Sequence, residues 1–483
     1  MKNIIKYIIV SLVTVFLFTG CEEWLDVNQN PNAIVDSPAI TEDIYLIGVE
    51  SEWVQKISDT WYWWGGGFRE WTCYTSRQQS TTASFIISPG HMSHQWNCYS
   101  GSLEHAVQLY DKAAENGHNH YQGIAAVIAA WHWFMLADFY DKAPLDQAMK
   151  GNEYPYPEVV SQEELYAHAN GLLDEAISLL GSGDGGKPVG DDDYMLGGDI
   201  SKWIKAAYAI KARQALRLSY ATGTTPQAQA DAALAALNNA MTSNDDNVVW
   251  RHSTEAGYWS WVYDDMLEAY TGEGMSPNIF FVDRMNYYND PRRYIMFTEA
   301  EQGGFKGLRA GAMYEEGDKP SRFRWDYASE DFPDHIITYH ECKFIEAEAY
   351  AFKSDWANCQ AALDEAITAD MTWEGVPADS IAAYLAQPQL DVPTNIEDAQ
   401  KLVIEQKYIA NLFETRTQYF DWIRTGYPEY DFDYAIENVD NTETFPRRLL
   451  YPQDEIDKNP NIQALGLPNV HEKGTSWDNK PRK

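Results

Sequence analysis

Cys342-Lys-Phe-Ile345-Glu-Ala347-Glu-Ala349-Tyr350-Ala-Phe352-Lys-Ser-Asp-Trp356-Ala-Asn-Cys359-Gln-Ala-Ala-Leu363-Asp-Glu-Ala366-Ile367 is the stretch on which the fold turns. Cys342, Ile345, Ala349 and Phe352 recur at helical spacing and make one apolar face; Trp356, Cys359, Leu363, Ala366 and Ile367 make the next. The short turn between them predicts an antiparallel helical hairpin. Its second helix carries a small residue, a large one four positions on and an alanine three later: Cys359, Leu363, Ala366. The same spacing recurs at Ala106-Tyr110-Ala113, Ala169-Leu173-Ala176 and Ala233-Leu237-Ala240, each in the second half of a candidate hairpin. Small residues let neighbouring helices approach while the large one fills the gap between them. Ala347 and Tyr350 stand where a tetratricopeptide hairpin places its small and aromatic packing residues, so the pattern points to tetratricopeptide-like units.

Working outward, the period is irregular and long segments rich in Gly, Pro and turn residues separate the helices. These are Gly181 to Gly198, Ala221 to Pro226, Asp290 to Asp334, Asp379 to Asn395, and Tyr427 to the C-terminus. Tyr121 to Tyr140 is apolar nearly all round, which marks a buried helix and makes its tryptophans core residues. Length alone would suggest about three domains. The periodicity predicts instead an all-α chain, with tetratricopeptide-like hairpins forming a single superhelical scaffold that carries long irregular loops. Loops this long in a compact protein are usually functional.

The N-terminus has a different character. Lys2 and Lys6 precede an apolar run, Ile8 to Thr19, too short to cross a ~30 Å bilayer core. The run ends in Leu17-Phe18-Thr19-Gly20-Cys21, small residues before a cysteine as a lipoprotein-processing peptidase requires. Residues 1–20 therefore read as a signal peptide, with Cys21 the lipid attachment point and residues 21–483 the exported domain. The formal net charge is −36, and −38 without Lys2 and Lys6. Such a balance argues against nucleic acid, whose binding rests on neutralising phosphates. It also disfavours an anionic polysaccharide, although a local basic patch could overrule the average. Cys73, Cys98, Cys342 and Cys359 are too few for a disulfide framework; a bridge between Cys73 and Cys98 is the one pairing considered.

Catalytic signatures are scarce. No His-Glu-x-x-His and no Gly-x-Ser-x-Gly occurs. Gly181-Ser-Gly-Asp-Gly-Gly186-Lys187 imitates a phosphate-binding loop, but Pro188 replaces the hydroxyl residue that would hold magnesium. Asp191-Asp192-Asp193 lacks the spacing of a helix-loop-helix calcium site and reads as a solvated acidic loop. No carboxylate pair is singled out for glycoside hydrolysis. The reading is of a protein that is not an enzyme, with no metal and no cofactor.

Aromatic residues say more. Of 18 tryptophans, six lie between residues 53 and 96. Trp61-Tyr62-Trp63-Trp64-Gly65-Gly66-Gly67 cannot hide every ring, because consecutive side chains face different directions. Flat rings with a polar tip suit stacking on sugar faces or peptide side chains. The candidate ligand contacts are Trp61, Trp63, Trp64, Trp71, Tyr74 and Trp96, with Arg69, Arg77, Gln78 and Gln79 as hydrogen-bonding neighbours. A second cluster is Trp250, Trp259, Trp261 and Tyr263. Core packing is the alternative for any of these rings.

Four stretches resemble the SusD/RagB family of surface nutrient-binding lipoproteins. They are Cys21-Glu-Glu-Trp-Leu-Asp-Val-Asn-Gln-Asn-Pro-Asn32; Tyr121 through Ala137-Asp138-Phe139-Tyr140 to Pro144-Leu145; Gly198-Asp199-Ile-Ser-Lys202-Trp203 with Arg213 and Arg217; and Ile404 through Trp422-Ile-Arg-Thr-Gly-Tyr-Pro428 with Phe445-Pro-Arg-Arg-Leu-Leu-Tyr-Pro452 and Asn459. Glu22 and Glu23 after the lipidated cysteine are similar to that family's signal for outward display. The resemblance implies a tetratricopeptide-based scaffold, lipid-tethered outside the outer membrane, lidding a TonB-dependent SusC-like barrel transporter. It implies capture of oligosaccharide, or of peptide in some branches, without chemistry. A tetratricopeptide-type scaffold binding only protein partners is the reading from another class. Arg447 and Arg448 are expected to tie the C-terminal loop to helix carboxylates or carbonyls. Lys202 and Trp203 are expected to open and pack a helix.

Overall fold

In the computed structural model the residues described are 40–59, 72–75, 88–89, 93–268, 276–310, 319–430 and 445–480. The hairpin that opened the sequence reading is present as α9 (Tyr339–Phe352) and α10 (Trp356–Trp373). Ser354 takes a left-handed conformation (φ 57°) in the turn, and the Asp355 side chain accepts the Asn358 N–H to start α10. Cys359, Leu363 and Ala366 are buried between the two helices and their neighbours.

Chain order supplies the other helices: α1 (Glu42–Asp59), α2 (Ser102–Asn116), α3 (Asn119–Tyr140), α4 (Gln162–Leu180), α5 (Ile200–Arg217) and α6 (Pro226–Leu237). Beyond these come α7 (Trp261–Glu268), α8 (Ile279–Tyr287), then α9, α10, α11 (Ala378–Leu385), α12 (Ile396–Ala410) and α13 (Thr415–Thr425). α1 packs on α2, α3 on α4, α5 on α6 and α9 on α10. The repeated small-large-small spacing falls on the second helix of each pair, running past the end of α6 at Ala240. The architecture is thus the expected all-α tetratricopeptide-like scaffold. Glu42–Lys483 form one compact unit.

α3 is buried throughout from Tyr121 to Tyr140. It is long and apolar enough to cross a membrane, yet it is wholly enclosed by its neighbours. Gly123 explains how α4 comes so close, since a Cβ there would stand 2.6 Å from Leu180 Cγ.

Charged groups join the pairs. Arg213 of α5 donates to Glu341 of α9 (Nε to Oε1, 2.8 Å) and Lys407 of α12 pairs with Asp421 of α13 at 2.8 Å. Arg424 of α13 donates to both oxygens of Glu348, at 2.5 and 2.8 Å, and to Asp421 at 3.0 Å. Burial alone would raise the Glu341 carboxyl, but Arg213 and Lys407 hold it down at about 2.

Strands are short and link distant segments: β1 (Tyr74–Thr75) pairs with β5 (Ser276–Pro277), β2 (Ala143–Pro144) with β3 (Val159–Val160), and β4 (Val248–Trp250) with β6 (Asp334–Ile337), all antiparallel. Of the two arginine ties expected to reach helices, Arg448 makes one at a helix end, whereas Arg447 binds a carboxylate within the C-terminal segment itself. Arg447 grips Asp478 (Nε to Oδ2, 2.7 Å) and Arg448 donates to the Tyr140 carbonyl at 3.3 Å. Trp203 is buried and donates to Asp193 at 2.8 Å. That carboxylate also accepts the Leu196 and Gly198 N–H groups, which makes it a loop-folding residue. One expectation needs correction. Residues 378–385 form α11 where irregular chain was expected. The open question of a Cys73–Cys98 bridge is answered as well: both are buried thiols that form no disulfide, and Cys73 donates to Gln418 Oε1 at 2.6 Å.

Candidate functional site

The second aromatic cluster of the sequence becomes a ridge. Ser260 is buried where it starts: its N–H donates to the Glu330 carbonyl at 2.8 Å and its hydroxyl to the Ser329 carbonyl at 3.1 Å. The same hydroxyl oxygen accepts the Tyr263 N–H, capping α7. Trp259 and Tyr263, four residues apart, therefore meet edge to face at 5.4 Å, and Tyr263 meets Trp325 at 5.6 Å. These three rings are half-buried, while Tyr258 and Trp261 are exposed at 68% and 40%. Rings locked by one another and open on one side form a stacking surface that loses little freedom on binding. Trp250, at the end of β4, lies apart from the ridge and tilts against Tyr194 at 6.0 Å.

Beside the ridge opens a cavity of about 510 Å³ whose walls include Arg251, Tyr294, Arg324, Asp326, Ser329, Asp331 and Trp373. Its size is that of a small-ligand site. The turn Arg324–Ala328 joins ridge and cavity, Trp325 belonging to one and its flanking residues to the other. Arg324 donates through Nε to Asp326 at 2.9 Å, and Ser329 Oγ to Asp331 at 2.8 Å. Arg251 lies over the Trp373 ring, 5.7 Å from its centroid. Glu374 forms part of the floor; burial, aided by the Asp370 charge, pushes its carboxyl above the usual range.

A second concavity of similar volume lies between α2, α3 and α4. Its one tryptophan, Trp133, is 2% exposed and packed edge-on by Tyr99 and His168, so it offers no stacking face.

Of the six ligand contacts expected first, Trp61, Trp63, Trp64 and Trp71 lie outside the described residues. Tyr74 is placed by its backbone in β1, paired with Pro277. Trp96 is in the core at 6% exposure, ringed edge-on by Tyr99, Tyr140 and Tyr451 at 4.9–5.6 Å. With those edges against it, Trp96 is a packing residue and drops from the candidate site. Tyr294, Trp325, Trp373, Arg251 and Arg324 were not singled out in the sequence. The signal available was Arg324-Trp-Asp326, charged and aromatic residues side by side within a long loop.

Fold and site together define a class: a helical-repeat scaffold that presents, on its loops, a ridge and cavity suited to a flat-faced ligand. The sequence profile of the SusD-like family, described as starch-binding and associating with the outer membrane, matches residues 67–452, and the chain belongs to that family. A chitin-binding SusD homologue from Flavobacterium johnsoniae superposes with a TM-score of 0.76 over 90% of this chain and 99% of its own, at 17% identity. A SusD/RagB family protein from Bacteroides thetaiotaomicron gives 0.73 over 92% and 100%, at 21% identity. A SusD homologue from Bacteroides uniformis gives 0.75 over 90% and 99%, at 20% identity. Identities this low speak for the shared fold. No curated protein matches the chain in sequence.

Proposed function

We propose that this protein captures oligosaccharide at the outer membrane surface and hands it to a TonB-dependent SusC-like transporter, performing no chemistry itself. The observation that carries this reading is the ridge Trp259–Tyr263–Trp325 bordering the Trp373 cavity, in a chain whose family is described as starch-binding. Ring faces stack on the C–H faces of sugars, and arginine, serine and carboxylate groups around them hydrogen-bond hydroxyls. The carboxylates Asp326 and Asp331 already accept internal hydrogen bonds, which suits orientation of a ligand more than attack on it. Trp61, Trp63, Trp64, Trp71 and Tyr74 remain candidate ligand contacts on the same chemistry, flat rings that stack on sugar faces. Lipid on Cys21 holds the protein to the membrane, facing outward.

Isothermal titration of the chain from residue 22 onward, against malto-, chito- and xylo-oligosaccharides and a peptide mixture, tests this. Saturable glycan binding is expected, weakened at least about tenfold in folded Trp259→Ala and Trp325→Ala variants, and again in the triple Trp61, Trp63, Trp64→Ala variant. Binding to peptides alone would replace glycan by peptide as the cargo.

A further inference from the structure

Resting on the capture reading above, we infer that the cavity beside the ridge takes an acidic sugar, its carboxylate bound in the plane of the Arg251 guanidinium with the sugar ring against Trp373. Arg251 leaves the end of β4 as an exposed residue and lies over Trp373 at 5.7 Å. A cation–π contact at this range holds the guanidinium near the ring without using its N–H groups, which leaves them available to a bidentate carboxylate. Among the described residues no carboxylate or carbonyl takes those N–H groups.

The neighbouring anions are engaged elsewhere. Asp326 is held by Arg324, Asp331 accepts from Ser329, and Asp334 is bound by His252 at 2.7 Å. Glu374 on the floor is pushed toward its neutral form by burial. Arg251 is therefore a positive group in the cavity wall whose N–H groups none of these carboxylates accepts, in a chain whose other charges are mostly negative. The overall charge of −36 opposes an acidic ligand only at long range. Over a Debye length of about 8 Å at physiological ionic strength that field fades, and contact at the cavity wall decides.

The test compares oligogalacturonate, oligomannuronate and glucuronate-branched xylo-oligosaccharide with their methyl esters, which keep every ring and remove the charge. The panel is titrated into the wild-type chain, Arg251→Gln and Trp373→Ala, with neutral malto-, chito- and xylo-oligosaccharides alongside. At least one free acid should bind about tenfold or more tighter than its ester, and Arg251→Gln should erase that difference by weakening the free acid far more than the ester. Equal affinity for acid and ester, or a preference that survives Arg251→Gln, overturns the assignment. Binding of neutral glycans alone also overturns it but leaves the capture reading standing. Silence toward every glycan removes both.

Discussion

Arg424 shows how a single side chain can be worth more than its own contacts. It is 2% exposed and satisfies both oxygens of Glu348 and one of Asp421, while Gln400 adds a bond to Glu348 at 2.6 Å. Arg424→Ala leaves Glu348 buried without its cation and Asp421 with Lys407 alone, and the cost should be about 3–5 kcal/mol in denaturant unfolding. A double variant that also replaces Glu348 by Gln should recover part of that loss, because it removes one uncompensated charge. Equal stability of the single and double variants would place the cost in packing. At this scale the sequence was readable where chemistry is local: Trp203 and Arg448 occupy the roles their neighbours suggested. Trp96 was misread because exposure depends on Tyr140 and Tyr451, which reach it from far along the chain.

The repeated helical spacing makes a graded test possible among elements. Leu173 and Leu363 are fully buried in α4 and α10, whereas Leu237 and Tyr110 occupy the equivalent position only half-buried. Leu363→Ala and Leu173→Ala should each cost about 2–5 kcal/mol, while Leu237→Ala should cost less, about 1 kcal/mol. Thermal and urea unfolding of the three would show it, and equal losses would mean the spacing carries no packing hierarchy. The same logic explains what could be read of the fold. Helix pairs announce themselves through a local period, so α9 with α10 and the buried α3 were legible. α11 was not, because Pro377 and Pro388 bracket only eight helical residues. The strand ladders were invisible for another reason: β4 meets β6 across more than eighty residues, and a three-residue strand has no period to detect. The candidate cavity depends on that ladder, which is why its aromatic wall, Tyr294, Tyr327, Phe332 and Trp373, escaped notice.

Across the whole molecule, buried titratable groups set the pH range of stability from both sides. Burial pushes His132 down to about 3 and His340 down to about 4, from an ordinary 6.5. A lowered folded-state pKa means the unfolded chain takes up the proton first, so this stability is present above pH 6.5 and drains away as pH falls toward 4 and 3. Glu414 runs the other way, its carboxyl pushed up by burial from 4.5 to about 8. Its contribution is whole below pH 4.5 and is lost as pH rises to about 8, where the folded protein also gives up the proton. Glutamine imitates the protonated acid without titrating. The melting temperature of Glu414→Gln, minus that of the wild type, should therefore grow steadily from pH 5 to pH 8 and level off above it. For His340→Gln the same difference should grow in the opposite direction, as pH falls from 6.5 to 4. Each effect amounts to roughly a few kcal/mol, since one pKa unit corresponds to about 1.4 kcal/mol. Differential scanning calorimetry at unit pH intervals reads both trends, and pH-independent differences would show that these groups are stabilised by their packing rather than by their protonation state.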